Sequence, residues 1–166
     1  LSEAIPEKAV AAWGRRRGHY IAAVDPRSGQ RYTQTTTDAD GGAGAVCGFD
    51  GFEGAMGMSG LGSIQRGSIE EIEIRYPWRT ERYHFTPDFS GAGRWRGGSG
   101  MVWEIRNLGG DARIATGSSD GDLTQPAGAA GGEPGPLSKM YIRRGDEVET
   151  VRTHRMIEVK TGEVLG

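Results

Sequence analysis

Cysteine is almost missing from this chain: Cys47 stands alone in 166 residues. No disulfide can form within it, and no cysteine-based zinc site. A reducing, cytoplasmic setting is therefore the expectation. Long apolar runs are missing too, which argues against a membrane-spanning helix. Nor is there an excess of either charge, since 20 Lys and Arg face 22 Asp and Glu for a formal net charge of -2. That balance speaks against nucleic acid or an acidic membrane as partner. The basic run Arg15-Arg16-Arg17 is too short to change this, and it reads as a solvated turn or a contact to a neighbouring subunit. His19, His84 and His154 are scattered without H-x-x-x-H or H-E-x-x-H spacing, so each is expected on the surface or in packing rather than on a metal. Asp120 and Asp122 have a calcium-loop spacing but lack the later Glu, and a loop turn is the better reading. The chain has no Walker sequence, no G-x-S-x-G elbow and no Ser-His-Asp order.

Glycine, by contrast, is abundant. Its 29 residues are more than twice the average usage of roughly 7%. They show no three-residue period, which excludes collagen. They gather instead at Gly41 to Gly44, Gly57 to Gly62, Gly91 to Gly100 and Gly128 to Gly135. Gly91-x-Gly93 does not extend to a dinucleotide fingerprint, because Arg96 stands where the third glycine belongs. Glycine permits positive φ and close backbone approach at an entropic cost. Loops this rich in it need rigidity from outside themselves, which implies a large assembly.

Ser2 to Trp13 reads as a short helix capped by Ser2, with Ile5, Ala9, Ala12 and Trp13 on one face. His19 to Val24 and Gln30 to Thr37 read as strands paired across the turn Asp25-Pro26-Arg27-Ser28-Gly29. Residues 38 to 67 read as loop. Ser68 to Tyr76 fits either period, and the capping-box pair Ser68 and Glu71 favours a helix closed by Pro77. From Thr80 onward the pattern is β: around Tyr83 and Phe85, Met101 to Asn107, Ala112 to Thr116, Lys139 to Arg143, Glu147 to Arg152 and Met156 to Val159. Short strands at this spacing predict a sandwich or barrel. The expected class is α+β: a short N-terminal helix, long glycine-rich loops and a mainly antiparallel second half. Residues 1–166 form one segment, with a helix, hairpin and loop part at 1–67 and a β-rich part at 68–166.

Three ordered stretches carry a resemblance. The first is Asp25-Pro26-Arg27, then Gly41-Gly42-Ala43-Gly44-Ala45 and Asp50-Gly51, preceded by the region of Pro6 and Trp13. The second runs from Ile69 through Glu70, Glu71 and Glu73 to Pro77. The third is Pro87-Asp88-Phe89-Ser90-Gly91-Ala92-Gly93-Arg94-Trp95-Arg96-Gly97-Gly98-Ser99-Gly100, followed later by Gly131-Gly132-Glu133-Pro134-Gly135. Their order and spacing resemble the last quarter of the B-type subunits of ATP-dependent hydantoinases, 5-oxoprolinases, and acetone and acetophenone carboxylases, the hydantoinase B/oxoprolinase family. The resemblance implies a piece of a larger B-type subunit working with an A-type, ATP-using subunit on a small-molecule substrate. ATP would phosphorylate an oxygen of a cyclic amide, or of a ketone enolate and bicarbonate, before hydrolysis or carboxylation. ATP and a divalent metal would be held by other segments or subunits, not by this chain. The first residue is Leu, and the family's terminal glycine run does not follow Met156 to Gly166, so both ends are expected to be cut short. The acidic stretch Gly117 to Asp122 stands where hydantoinase-type members tend to carry arginine, and it looks closer to the ketone-carboxylase branch.

Arg94, Arg96 and Asp50 are the leading candidates for chemistry, with Cys47 behind them. Arg94 and Arg96, on either side of Trp95, could grip a carboxylate or phosphate bidentately. They could equally pin their loop to Glu70, Glu71 and Glu73. On extended backbone the two arginines would share one side and Trp95 take the other. Asp50 either faces a substrate cavity or caps a turn. Cys47 is a possible nucleophile, against the reading of a small buried residue in a tight loop. Two functional classes remain open: an ATP-dependent amidohydrolase or carboxylating ligase working only as part of a complex, and a noncatalytic interaction subunit that docks onto catalytic partners.

Overall fold

The computed structural model describes residues 4–14, 17–39, 41–55, 67–117 and 121–166. Its strands are β1 (Arg17–Val24), β2 (Arg31–Ala39), β3 (Trp78–Phe85), β4 (Met101–Asn107), β5 (Ala112–Gly117), β6 (Tyr141–Arg144), β7 (Glu147–Thr150), β8 (Met156–Val159) and β9 (Val164–Leu165), with one helix, α1 (Ile69–Arg75). They form a four-stranded sheet in the order β2-β1-β5-β8 and a five-stranded sheet in the order β3-β4-β9-β6-β7. Every neighbouring pair given a register is antiparallel. The fold is α+β with antiparallel sheets.

One core joins the two sheets. In the first, Ile21 lies opposite Ile114, and Ile114 opposite Ile157. In the second, Leu165 pairs with both Ile105 and Ile142. These two rows meet in a single buried cluster with Trp78, Met140 and Val159. Each large apolar side chain buried there contributes about 1.5–3 kcal/mol relative to exposure. Polar groups stitch the sheets together as well. Trp78 Nε1 donates to Tyr32 Oη at 2.9 Å, linking β3 to β2. Asn107, fully buried, donates from Nδ2 to the carbonyls of Gly110 (2.7 Å) and Val159 (3.0 Å) while its Oδ1 accepts from Gly109 N. A buried amide satisfied on both ends in this way fixes the β4–β5 corner against β8.

Sequence and structure part company at the N-terminus. A helix sits there, but it is a single 3-10 turn, Pro6–Lys8, rather than a helix to Trp13; Ser2 lies outside the described residues. The reason is where the backbone hydrogen bonds go. Ala11 N donates to Ala45 O (2.9 Å), Ala12 N to Ala127 O (3.0 Å) and Gly14 N to Gly42 O (2.7 Å), so this segment is bound sideways into the glycine loops instead of to itself. The ambiguous stretch after Ser68 is helical, and Ser68 Oγ accepts from Glu71 N at 3.4 Å. β3 begins two residues earlier than expected, at Trp78, and β7 ends at Thr150. The two-residue β9 has no counterpart in the strand pattern read from sequence.

Candidate functional site

Three of the four glycine clusters converge; the fourth, Gly57 to Gly62, lies outside the described residues. Extended segments around residues 9–14, 41–46, 49–54 and 96–100 are bonded edge to edge by their backbones. Ala43 N donates to Phe52 O (2.8 Å), Gly98 N to Ala43 O (2.9 Å), Gly51 N to Arg96 O (2.8 Å) and Gly54 N to Ser99 O (2.8 Å). The chains run so close that a Cβ on Gly42 would stand 1.7 Å from Gly98 O. Only glycine fits such an approach. The loops therefore brace one another, a source of rigidity that composition alone did not indicate.

Beside this lattice lies a cavity of about 560 Å³, walled by Gly41 to Gly44, Gly91 to Gly93 and Gly128 to Gly132. That volume falls in the usual range for small-molecule sites. Its charged and reactive lining is sparse: Arg94, Lys139, Glu133, His19, Cys47 and Tyr141. His19 is buried in β1, opposite Thr36 on one side and Thr116 on the other, both also buried. The core of the first sheet thus turns from an isoleucine row to a polar row where it meets the cavity. Cys47 is exposed rather than buried.

The structure separates the three candidate residues. Asp50 Oδ1 accepts from the backbone N of Arg96 at 2.7 Å. Arg96 is thereby tied to the 49–54 segment through both its N–H and its carbonyl, and its guanidinium faces Asp88 (3.7 Å) and Glu53 (4.0 Å). Neither Asp50 nor Arg96 lines the cavity. Arg94 does, with its guanidinium carbon 4.9 Å from the Trp95 ring centroid. The expected opposition of Trp95 to both arginines fails because the backbone bends at residues 93–95 instead of running extended. The acidic run does not hold the loop either: Glu70 takes the Ser68 hydroxyl, Glu71 pairs with Arg75 and Glu73 accepts from Thr80 N.

Of the remaining residues, His84 is exposed, with Nδ1 2.7 Å from Phe85 O, and His154 is exposed with positive φ. Asp122 caps Thr153, accepting from its N at 3.1 Å and its Oγ1 at 2.7 Å; Asp120 and Ser118-Ser119 lie outside the described residues. Among the described residues no three His, Cys, Asp or Glu side chains gather as a metal site, and no helix is long and apolar enough to cross a membrane.

Sequence reasoning missed a charged network at the cavity edge. Tyr141 Oη donates to Glu104, a carboxylate only 3% exposed that also meets Arg82 (3.1 Å) and Arg143 (3.2 Å). Burial pushes Glu104 up, but the Tyr141 hydrogen bond and the arginines outweigh it and leave it below its ordinary value. Burial and the neighbouring Glu104 push the Tyr141 phenol up to about 12. A register shift between Thr80 and Arg82 makes Glu81 the extra residue of a β-bulge. Arg106 grips it bidentately, at 2.5 and 2.9 Å, with Arg79 and Arg143 beside it, and it is held down at about 2. No sequence period marked it: Arg79 and Arg82 are three apart in β3, Arg106 is the single arginine of β4, and Arg143 and Arg144 are adjacent in β6, so the cluster exists only once the strands pair.

The hydantoinase B/oxoprolinase family model matches residues 1–166, and the chain belongs to this family. Over 133 residues, 79% of the chain, it is 36% identical to the caprolactamase beta subunit of Pseudomonas jessenii, covering 23% of that protein. Over 152 residues, 92% of the chain, it is 27% identical to a putative B-type D-/L-hydantoinase subunit from Pseudomonas sp. (strain NS671), covering 24% of it. The fold is similar to the crystal structure of the ATP-dependent caprolactamase from Pseudomonas jessenii, with a TM-score of 0.79 and 28% identity over 99% of this chain and 30% of that one. The chain spans about a quarter of the length of the curated relatives it matches.

Proposed function

We propose that this chain is the C-terminal part of the B-type subunit of an ATP-dependent, multi-subunit enzyme that hydrolyses a cyclic amide. The observation that carries the reading is the chain's similarity, over most of its length, to the caprolactamase beta subunit in sequence and to the ATP-dependent caprolactamase crystal structure in fold. The second relative is named as part of a hydantoinase, and both names denote cyclic amides. The exposure of Phe49 (70%) and Phe52 (81%) on the glycine lattice fits apolar surface that a larger subunit covers. In this reading the A-type subunit uses ATP, with a divalent metal, to activate the amide oxygen, and other segments of the B-type subunit carry the hydrolytic groups. The glycine lattice supplies a rigid wall for the cavity.

The test uses the full-length subunit purified together with its ATP-using partner. ATP turnover is measured with a lactam, a hydantoin and 5-oxoproline in turn. Stimulation by one of them without bicarbonate, with the ring-opened acid as product, is the expected result. Turnover that requires bicarbonate and a ketone would instead place the protein in the carboxylase branch. A noncatalytic role keeps one supporting observation: glycine and alanine make up most of the described residues that wall the cavity.

A further inference from the structure

Sequence treats Arg94 and Arg96 as equals, and the structure does not. Arg96 has its backbone locked to Asp50 and Gly51 and its side chain turned toward Asp88 and Glu53. Arg94 lines the cavity, and among the described residues no carboxylate lies within ion-pair distance of it. Its guanidinium is instead laid over the Trp95 ring at 4.9 Å. Stacking of this kind leaves the in-plane N–H fork free while limiting the rotamers that the side chain samples. Lys139 also lines the cavity, and Glu133 is the one acidic side chain among the described lining residues. Counted over Arg, Lys, Asp and Glu side chains, two cations face one anion, which favours a negative ligand. Much of the rest of the wall is glycine and alanine, so few side chains compete with Arg94 and Lys139, both exposed, for a ligand. A stacked fork with no carboxylate partner among the described residues, at a cavity of about 560 Å³, is an arrangement suited to a planar or tetrahedral oxyanion.

We infer that this cavity binds an oxyanion-bearing ligand, a carboxylate or a phosphate, with Arg94 as its anchor and Lys139 as a second cation at the wall. The identity of the ligand rests on the proposed function. In ATP-dependent opening of a cyclic amide, both kinds of oxyanion arise: the ring-opened carboxylate, an ω-amino acid where the ring is a simple lactam, and the phosphate that leaves the activated oxygen. The binding chemistry is the same for each, and the cavity itself can be tested without turnover.

Calorimetric titration of the full-length subunit in its complex is carried out with 6-aminohexanoate and, separately, with inorganic phosphate. Arg94→Gln should weaken one or both roughly ten- to hundredfold, the loss expected for one charge-assisted pair. Arg94→Lys should recover only part of the affinity, because a point charge replaces the fork. Weakening confined to 6-aminohexanoate identifies the acid, and weakening confined to phosphate identifies the phosphoryl group; either supports the inference. Should the variants fail to assemble, phenylglyoxal labelling of Arg94 in the unaltered complex, mapped by peptide mass, replaces them. Protection by either oxyanion supports the site. Equal affinities in a folded Arg94→Gln complex, or labelling of Arg94 that neither ligand slows, overturns it. A complex that binds oxyanion through Arg94 but opens no cyclic amide sinks the functional reading and leaves this one standing.

Discussion

Arg27 Nη1 donates to the carbonyl oxygen of Ile74 at 3.1 Å, across 47 residues of sequence. Nη2 of the same guanidinium reaches Arg75 O, also at 3.1 Å, and Asp25 holds the group from behind at 2.8–3.1 Å. The turn of the first sheet thus closes the C-terminus of α1, where the last carbonyls lack intrahelical donors. Asp50 and Arg96 make the corresponding link between the first and third stretches on which the family resemblance rests. The three landmarks are separate in sequence and in contact in space. Their order along the chain therefore reflects one interlocked structure rather than three independent motifs.

Arg27→Lys tests the first link. Lysine keeps the charge but cannot span two carbonyls and a carboxylate at once. Amide exchange at Ile74 to Tyr76 should speed severalfold, while exchange in β5 and β8 stays as it was. Unchanged rates at the helix end would show that the Arg27 contacts carry no part of the capping.

Gly42→Ala should abolish the folded lattice, because its methyl would sit 1.7 Å from Gly98 O, and hydrogen bonds at Gly42 O and Gly98 N hold both backbones in place. Gly29→Ala is the contrast. Nothing lies within 4 Å of a Cβ there, and only the φ of +70 is strained. It should cost about 1 kcal/mol, the usual left-handed penalty. Thermal unfolding of the two variants in the full-length subunit would rank them, and similar losses at both positions would refute the close-packing account.

The hairpin, the Ser68 cap and the alternating strands were legible because each depends on neighbours within about ten residues: a turn sequence, an Oγ three residues before an N–H, a period of two. The N-terminal helix was misread in extent because the competing partners of Ala11 and Ala12 are Ala45 and Ala127, far along the chain. β9 escaped notice because two residues show no period, although Leu165 holds Ile105 and Ile142 together. The candidate site was half legible. Glycine spacing pointed to the loops, but only the bend at residues 93–95 decides which arginine meets the cavity. The family resemblance rests on ordered motifs and so needs no knowledge of contacts, which is why it was readable from the chain alone.

Asp50→Ala should remove the acceptor for Arg96 N and leave Gly51 N bonded to Arg96 O. The bond is exposed, so the loss of stability should be near the lower end for such contacts, about 1 kcal/mol. Asp50→Asn should be milder, since an amide oxygen still accepts. The informative readout is local: faster amide exchange at Arg96 with both variants, ordered Ala above Asn. Equal exchange in all three proteins would mean that water replaces the carboxylate without consequence.

Acid should attack this fold first through Glu81. Its carboxyl sits at about 2 in the folded chain, from an ordinary 4.5, because Arg106 donates two hydrogen bonds to it, with Arg79 and Arg143 adding to the pull. A depressed folded value means that the unfolded chain takes up the proton first. The stabilisation is complete above pH 4.5 and drains away as the pH falls from there toward 2. Glu104 shifts in the same direction and extends the effect. The alkaline side mirrors it. Tyr141 loses its proton at about 12 rather than 10.0, so the unfolded chain ionises first and stability declines as the pH rises through that interval. Thermal unfolding as a function of pH should therefore show a steep acid limb that Glu81→Gln flattens and a shallow alkaline limb that Tyr141→Phe flattens. Glu81→Gln should also unfold at lower temperature near neutrality, since three arginines then share one fewer carboxylate. An acid limb of the same slope in Glu81→Gln would mean that the bulge carboxylate is equally easy to protonate in the folded and unfolded chains, and that the arginines on this face hold it only in geometry.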